Sequence, residues 1–185
     1  MESFFVKNTK ILTPSEYNIL LDDINNPIQR RRFLILFWSG MRYQEFLRFH
    51  NNPEWYLRKR NTIHLPVHST KKMKRRQIER YIYPLPDLMS EIITQFFDDP
   101  KPPSLQGWNQ NLKRWGAESG IDIKGLSAKS TRKSIESWLI VAGMPLNIVY
   151  LRQGHTELTS LKHYQGLPFT DTEKQEIKKM LSFCL

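Results

Sequence analysis

His155 and Tyr164 stand nine positions apart in the stretch RQGHTELTSLKHYQG, residues 152–166. A phenol oxygen attacks well only once its proton is lost. Its ordinary pKa of about 10 means that it needs cations or a base nearby. Cations occur at three other places. Lys129 and Arg132 are three apart in LSAKSTRKSIESWLIVAG, so they share a helix face near its start. Two cations at a helix N-terminus oppose its dipole, and an oxyanion bridging them would remove the conflict. In SGMRYQEF, Gly40 marks a tight turn and Arg42 opens the next helix. Glu45, at i+3, is within reach to orient that guanidinium. Lys71, Lys72 and Lys74 crowd one basic loop. Taken singly, each feature also has a structural reading: a packed tyrosine, a surface cation pair, a structural arginine.

The elements that must position these residues are legible from local signals. In LTPSEYNILLDDI, Thr13 is an N-cap, Pro14 fits the first helical position and Glu16 completes a capping box. NPIQRRRFLILFWSG reads as a second helix that starts at Pro27 and stops at Gly40. MRYQEFLRFH is a short third helix, with Tyr43, Phe46, Leu47 and His50 at helical spacing. Between 55 and 86 the pattern changes to strands: WYLRK and TIHLP, split by a turn at RN, then RYIYPL. The last two are joined by the basic loop 67–79. Helices are expected again at 86–97, 107–119, 127–142, 145–153, 156–164 and 171–183, separated by Gly- and Pro-rich breakers. In the helix 127–142, Ile135, Trp138, Leu139 and Val141 are the expected buried side. The expected fold is mainly α with one small three-stranded antiparallel sheet.

The bulk numbers narrow the partner. The 185 residues suit one domain, and 39% hydrophobic with 25% charged residues reads as soluble and globular. One cysteine, Cys184, allows no internal disulfide and suits a reducing, cytoplasmic setting. The longest apolar run, FLILFW, is too short to span a membrane, and the N-terminus lacks the apolar core of a signal peptide. The net charge of +10 favours a polyanion. It is clustered: Arg58 to Arg80 holds nine Lys/Arg against one acid, Glu79. These lie on strand and loop sequence, which favours nucleic acid over a membrane surface. His64 and His68 are the only hint of a metal pair, and no Cys or carboxylate cluster supports it.

The ordered set of motifs is more specific than its members. Gly-x-Arg after an apolar helix, lysines in a β-hairpin, Lys-x-x-Arg at a helix start, Gly-His, then Tyr nine residues on, resembles the catalytic domain of the tyrosine recombinase (phage integrase) family. GMRYQEF resembles its first arginine box, KSTR its second, and LRQGHTELTSLKHY its Gly-His…Tyr box. The resemblance covers about residues 12–183. It implies the fold of the DNA breaking-rejoining enzymes, and cleavage and rejoining of double-stranded DNA without metal or nucleotide cofactor. It implies that Tyr164 attacks the scissile phosphorus and forms a 3′-phosphotyrosyl link. Arg42 and Arg132 would clamp the non-bridging oxygens, and His155 would donate a further hydrogen bond. A hairpin lysine, Lys72 in preference to Lys71 or Lys74, would protonate the departing 5′-oxygen. Lys129 would add charge or help to move a proton.

The chain departs from the family pattern in two places. Lys129 stands where most members carry His, as in many archaeal virus and plasmid integrases, which the KMKRR hairpin also resembles. The family's usual N-terminal core-binding domain is expected to be absent or excised here, so residues 1–185 are expected to form a single catalytic domain. The segment 171–183 would pack in cis or dock onto a neighbouring protomer, as in a tetrameric synapse. Among the other tyrosines, Tyr81 and Tyr83 are expected to pack and Tyr150 to lie on an apolar helix face. Two other readings stay open. One is a non-catalytic helix-turn-helix regulator built on residues 131–155. The other is a relaxer resembling a type IB topoisomerase.

Overall fold

The structure is a computed structural model that describes residues 3–69, 79–155 and 167–183. Its helices begin where the local chemistry places them. Helix α1 (Pro14–Asp23) opens on Thr13, whose hydroxyl accepts from Glu16 N at 3.2 Å while Glu16 Oε2 accepts from Thr13 N at 3.0 Å. That is the reciprocal capping box expected from TPSE. Helix α2 (Pro27–Ser39) is capped by Asn26 and ends on Gly40 at φ 63°, the left-handed conformation that glycine adopts without strain. Helix α3 (Tyr43–His50) follows directly.

The expected three-stranded sheet is present but small. Strands β3 (Tyr56–Leu57), β4 (Thr62–Leu65) and β5 (Arg80–Ile82) pair antiparallel in that order. The WYLRK segment keeps only two strand residues, because Arg58–Arg60 turn into a 3-10 helix closed by Asn61 at φ 44°. Ile63 faces Ile82 and Leu65 faces Arg80, all buried, while His64 and Tyr81 stack on the outer face at 4.7 Å. Tyr81 and Tyr83 are therefore exposed, not packed as expected. They fall on the outward half of the period-two alternation that carries Arg80 and Ile82 inward.

A second sheet adds to the expected one. Strands β1 (Phe4–Val6) and β2 (Thr9–Ile11) form a hairpin turned by Lys7 and Asn8, both at positive φ. The hairpin matters because β2 seats α6 (Ala128–Ala142), the central helix. Leu12 N donates to Ser134 Oγ at 2.8 Å, and Trp138 Nε1 donates to Leu12 O at 3.0 Å. Ser130, Ser134 and Ser137 are fully buried on α6, and small side chains let neighbouring backbones approach.

Helices α4 (Met89–Asp98), α5 (Leu105–Glu118), α7 (Leu146–Gln153) and α8 (Asp171–Met180) complete the described helical elements. The core joins α1, α2 and α6 through Tyr17, Phe33, Phe37, Trp38 and Trp138, whose rings meet edge-on, tilted or stacked at 4.3 to 6.2 Å. On α6 the expected inner residues Ile135, Trp138 and Leu139 are buried, and Val141 is half-buried. Helix α8 packs in cis on α1 and α6, burying Ile177 and, just beyond, Leu181. Phe183 reaches the Trp38 ring at 5.7 Å.

Candidate active site

Three breaks between elements meet at one place: the α2–α3 turn at Gly40, the start of α6, and the end of α7 at Gly154. The first and last are sharp because a glycine takes positive φ, 63° at Gly40 and 61° at Gly154. Both are also crowded. A Cβ on Gly40 would lie 2.5 Å from Gln153 Nε2, and one on Gly154 would lie 2.9 Å from Arg80 Nη1. The positive φ favours glycine at both, and a larger residue would also have to displace the Gln153 amide or the Arg80 side chain.

Two of the expected arginines converge on this junction. Arg132 sits in the second turn of α6 and is half-buried. Its Nη1 donates to Gly40 O at 2.7 Å, and its Nη2 donates to Gln153 O. Arg42 is the N-cap residue of α3. Its Nη2 donates to Gly154 O at 3.3 Å, and its side chain stays 36% exposed, open to a ligand. Burial, followed by the nearby Arg42 charge, lowers the Arg132 pKa to about 10, with Glu136 opposing. The guanidinium remains protonated at neutral pH.

The carboxylates that hold these cations are buried. Glu45 Oε1 accepts from Arg42 Nη1 at 2.8 Å, and Oε2 accepts from Arg42 N at 2.8 Å. The orientation of Arg42 by Glu45, expected from their spacing, is thus realised. Burial by itself would raise the Glu45 pKa, but Arg80, Arg42 and Arg132 outweigh it and hold the carboxyl at about 2. Glu136, one helical turn past Arg132, pairs with His155 Nε2. Its signal in the sequence was the i, i+4 spacing from Arg132 on α6. His155 follows the Gly154 turn, with its N donating to Tyr150 O at 3.2 Å and its ring 6.5 Å from that of Tyr150.

Lys129 is placed differently from its partner in the motif. It is exposed in the first turn of α6, whereas Arg132 turns inward. Its charge acts on Lys133, whose pKa is lowered first by burial and then by Lys129. The first turn itself is capped by Asn109 Oδ1, which accepts from Ala128 N at 2.8 Å.

Tyr164 and the hairpin lysines Lys71, Lys72 and Lys74 lie outside the described residues, as does the expected helix 156–164. The basic cluster of 58–80 divides where it is described. Arg58, Lys59 and Arg60 are exposed, but Arg80 is 5% exposed and points inward. It is therefore not one of the surface cations among which its sequence neighbourhood placed it. The pairing of Leu65 with Arg80 turns the side chain toward α3 and its buried acid.

The α6–Gly143–α7 pair is the segment on which a helix-turn-helix reading would rest. Helix α7 exposes Asn147, Ile148 and Leu151 while burying Arg152, whose Nη2 donates to Trp38 O at 2.7 Å.

The sequence matches the model described as "Phage integrase family" over residues 10–170. Comparison with curated proteins gave no match. Among solved structures, the fold is similar to that of XerA recombinase, with a TM-score of 0.67 at 12% identity, covering 92% of this chain and 64% of that one. It is also similar to the Tn1549 transposon integrase in complex with transposon right end DNA, with a TM-score of 0.71 at 14% identity, covering 92% of this chain and 65% of that one. The chain thus spans a little under two thirds of each. The mostly helical architecture with small antiparallel sheets is that of the catalytic domains of these enzymes.

Proposed function

We propose, from the premise that the chain belongs to the phage integrase family, that it is a site-specific DNA recombinase working through a 3′-phosphotyrosyl intermediate on Tyr164. The observation that carries this reading is the convergence of Arg42 and Arg132 on the Gly40 and Gly154 turns, next to His155. Two guanidiniums fixed by backbone carbonyls form a cationic pair that suits the charge of a phosphorane.

In the first step the Tyr164 phenol gives up its proton to water, its oxygen bonds to the scissile phosphorus, and the bond from phosphorus to the 5′-oxygen breaks. Arg42 and Arg132 neutralise the non-bridging oxygens, and His155 adds a hydrogen bond. The departing 5′-oxygen takes a proton from a hairpin lysine, Lys72 in preference to Lys71 or Lys74. Lys129, exposed in the first turn of α6, adds charge. Rejoining reverses these steps: a 5′-hydroxyl attacks the phosphotyrosine and Tyr164 recovers its proton. The bond energy stays in the ester, so the reaction uses neither metal nor ATP. The partner is double-stranded DNA, on which a homo-oligomer, a tetrameric synapse, assembles in the cytoplasm. Lys129 in place of the usual His supports placing the chain with archaeal virus and plasmid integrases. Helix α8, seated in cis, is the element whose exchange would join protomers.

The test uses nicked suicide duplexes that trap the covalent adduct on a denaturing gel. The wild-type chain should form an adduct and Tyr164→Phe should form none. An adduct from Tyr164→Phe would sink the assignment. Adduct formation together with joining of two defined sites separates a recombinase from a mere relaxer, and a helix-turn-helix regulator would give neither.

A further inference from the structure

We propose that Arg80, at the head of the strand that follows the basic loop, is a positioning residue for Arg42. The inference rests on the recombinase reading above and adds a residue that none of the family boxes in this sequence contains.

The geometry is a double fork on one carboxylate. Arg80 Nη1 donates to Glu45 Oε1 at 3.1 Å, and Arg80 Nη2 donates to Glu45 Oε2 at 2.6 Å. The same two oxygens accept from Arg42, Oε1 from its Nη1 and Oε2 from its backbone N. Glu45 is fully buried and Arg80 nearly so. A carboxylate held by one arginine alone can swing about its last torsion. Held bidentately from one side, it presents fixed lone pairs to the other. Arg42, being partly exposed, depends on that anchor for its direction.

Arg80 also bears on the third element of the site. Its Cδ and Nη1 lie 2.9 Å from where a Cβ of Gly154 would stand, and Gly154 O is the other acceptor of Arg42. One side chain therefore holds one support of Arg42, the carboxylate, and fills the space beside the other, the Gly154 turn. A Lys would supply the charge but neither the fork nor the planar wedge.

The experiment compares Arg80→Lys with the wild type in three measurements on the full chain: thermal stability, DNA binding, and the rate of adduct formation on a suicide duplex. Misplacing a clamping group by about 1 Å costs roughly 10²-fold in rate, so Arg80→Lys should slow adduct formation by about that factor with DNA affinity unchanged. In an Arg42→Gln background, Arg80→Lys should add no further loss, because both changes remove one function. Multiplying losses, or a wild-type rate in Arg80→Lys, would overturn the proposal while leaving the recombinase reading intact. If the wild type forms no adduct, the recombinase reading falls. The positioning is then read from the 15N guanidinium signals of Arg42. These should be resolved in the wild type and broadened in Arg80→Lys, and identical spectra would overturn the positioning. Should Arg80→Lys fail to fold, Arg80→Gln keeps a donor for Glu45 without the fork and takes the same measurements.

Discussion

Arg132 Nη1 donates to the carbonyl oxygen of Gly40 across 2.7 Å, tying the start of α6 to the end of α2, 92 residues earlier in the chain. The bond uses a helix-terminal carbonyl that the left-handed turn at Gly40 directs away from α2. A single residue thus ends a helix, orients a guanidinium and leaves room for Gln153.

Gly40→Ala tests that dependence. An alanine forced to φ 63° costs about 1–2 kcal/mol, before its Cβ displaces the Gln153 amide. For a domain of this size the midpoint should fall by roughly 2–8 °C in a thermal melt. Adduct formation should fall further than stability does, because the Arg132 acceptor moves with the turn.

Glu45 makes stability depend on acid. Its folded pKa of about 2 lies below the ordinary 4.5, so its contribution is complete above pH 4.5 and is lost as pH falls toward 2. The fall from 4.5 to about 2 corresponds to roughly 3 kcal/mol. Denaturant titrations across that window should show the loss in the wild type and a flatter acid limb in Glu45→Gln. At neutral pH the variant should be less stable by about 3–5 kcal/mol, since Arg80 and Arg132 lose a buried counter-charge. A steep acid limb retained in Glu45→Gln would assign the effect to other carboxyls.

DNA binding should be strongly salt-dependent. With about six phosphates neutralised, log K should fall against log salt with a slope of roughly −5. Replacing exposed Arg58, Lys59 and Arg60 with Gln should reduce the slope by about one for each phosphate left without its cation. Because Arg80 is buried, Arg80→Gln should leave the slope unchanged. A shallower slope for Arg80→Gln would mean that this arginine reaches DNA.

By itself the sequence determined the described helices, their ends to within about three residues, and the roster of cations. Those are local matters: the Thr13–Glu16 box closes within one turn, and Gly40 stops α2 because only glycine takes that φ cheaply. The Glu45–Arg42 pairing was also legible, since i+3 spacing brings the two together on any helix start. The N-terminal hairpin was less so, because three-residue strands around Lys7 and Asn8 carry little alternation. Only the tertiary structure decided which cations face inward. Arg80 differs from Arg58 in no property of its own; its pairing with Leu65 and the approach of α3 turn it toward Glu45, 35 residues away. Lys129 and Arg132 likewise share a motif yet separate into an exposed charge and an inward clamp. Burial of a charge depends on where its counter-charge lies in space, and sequence spacing reports that distance only along a single helix or strand.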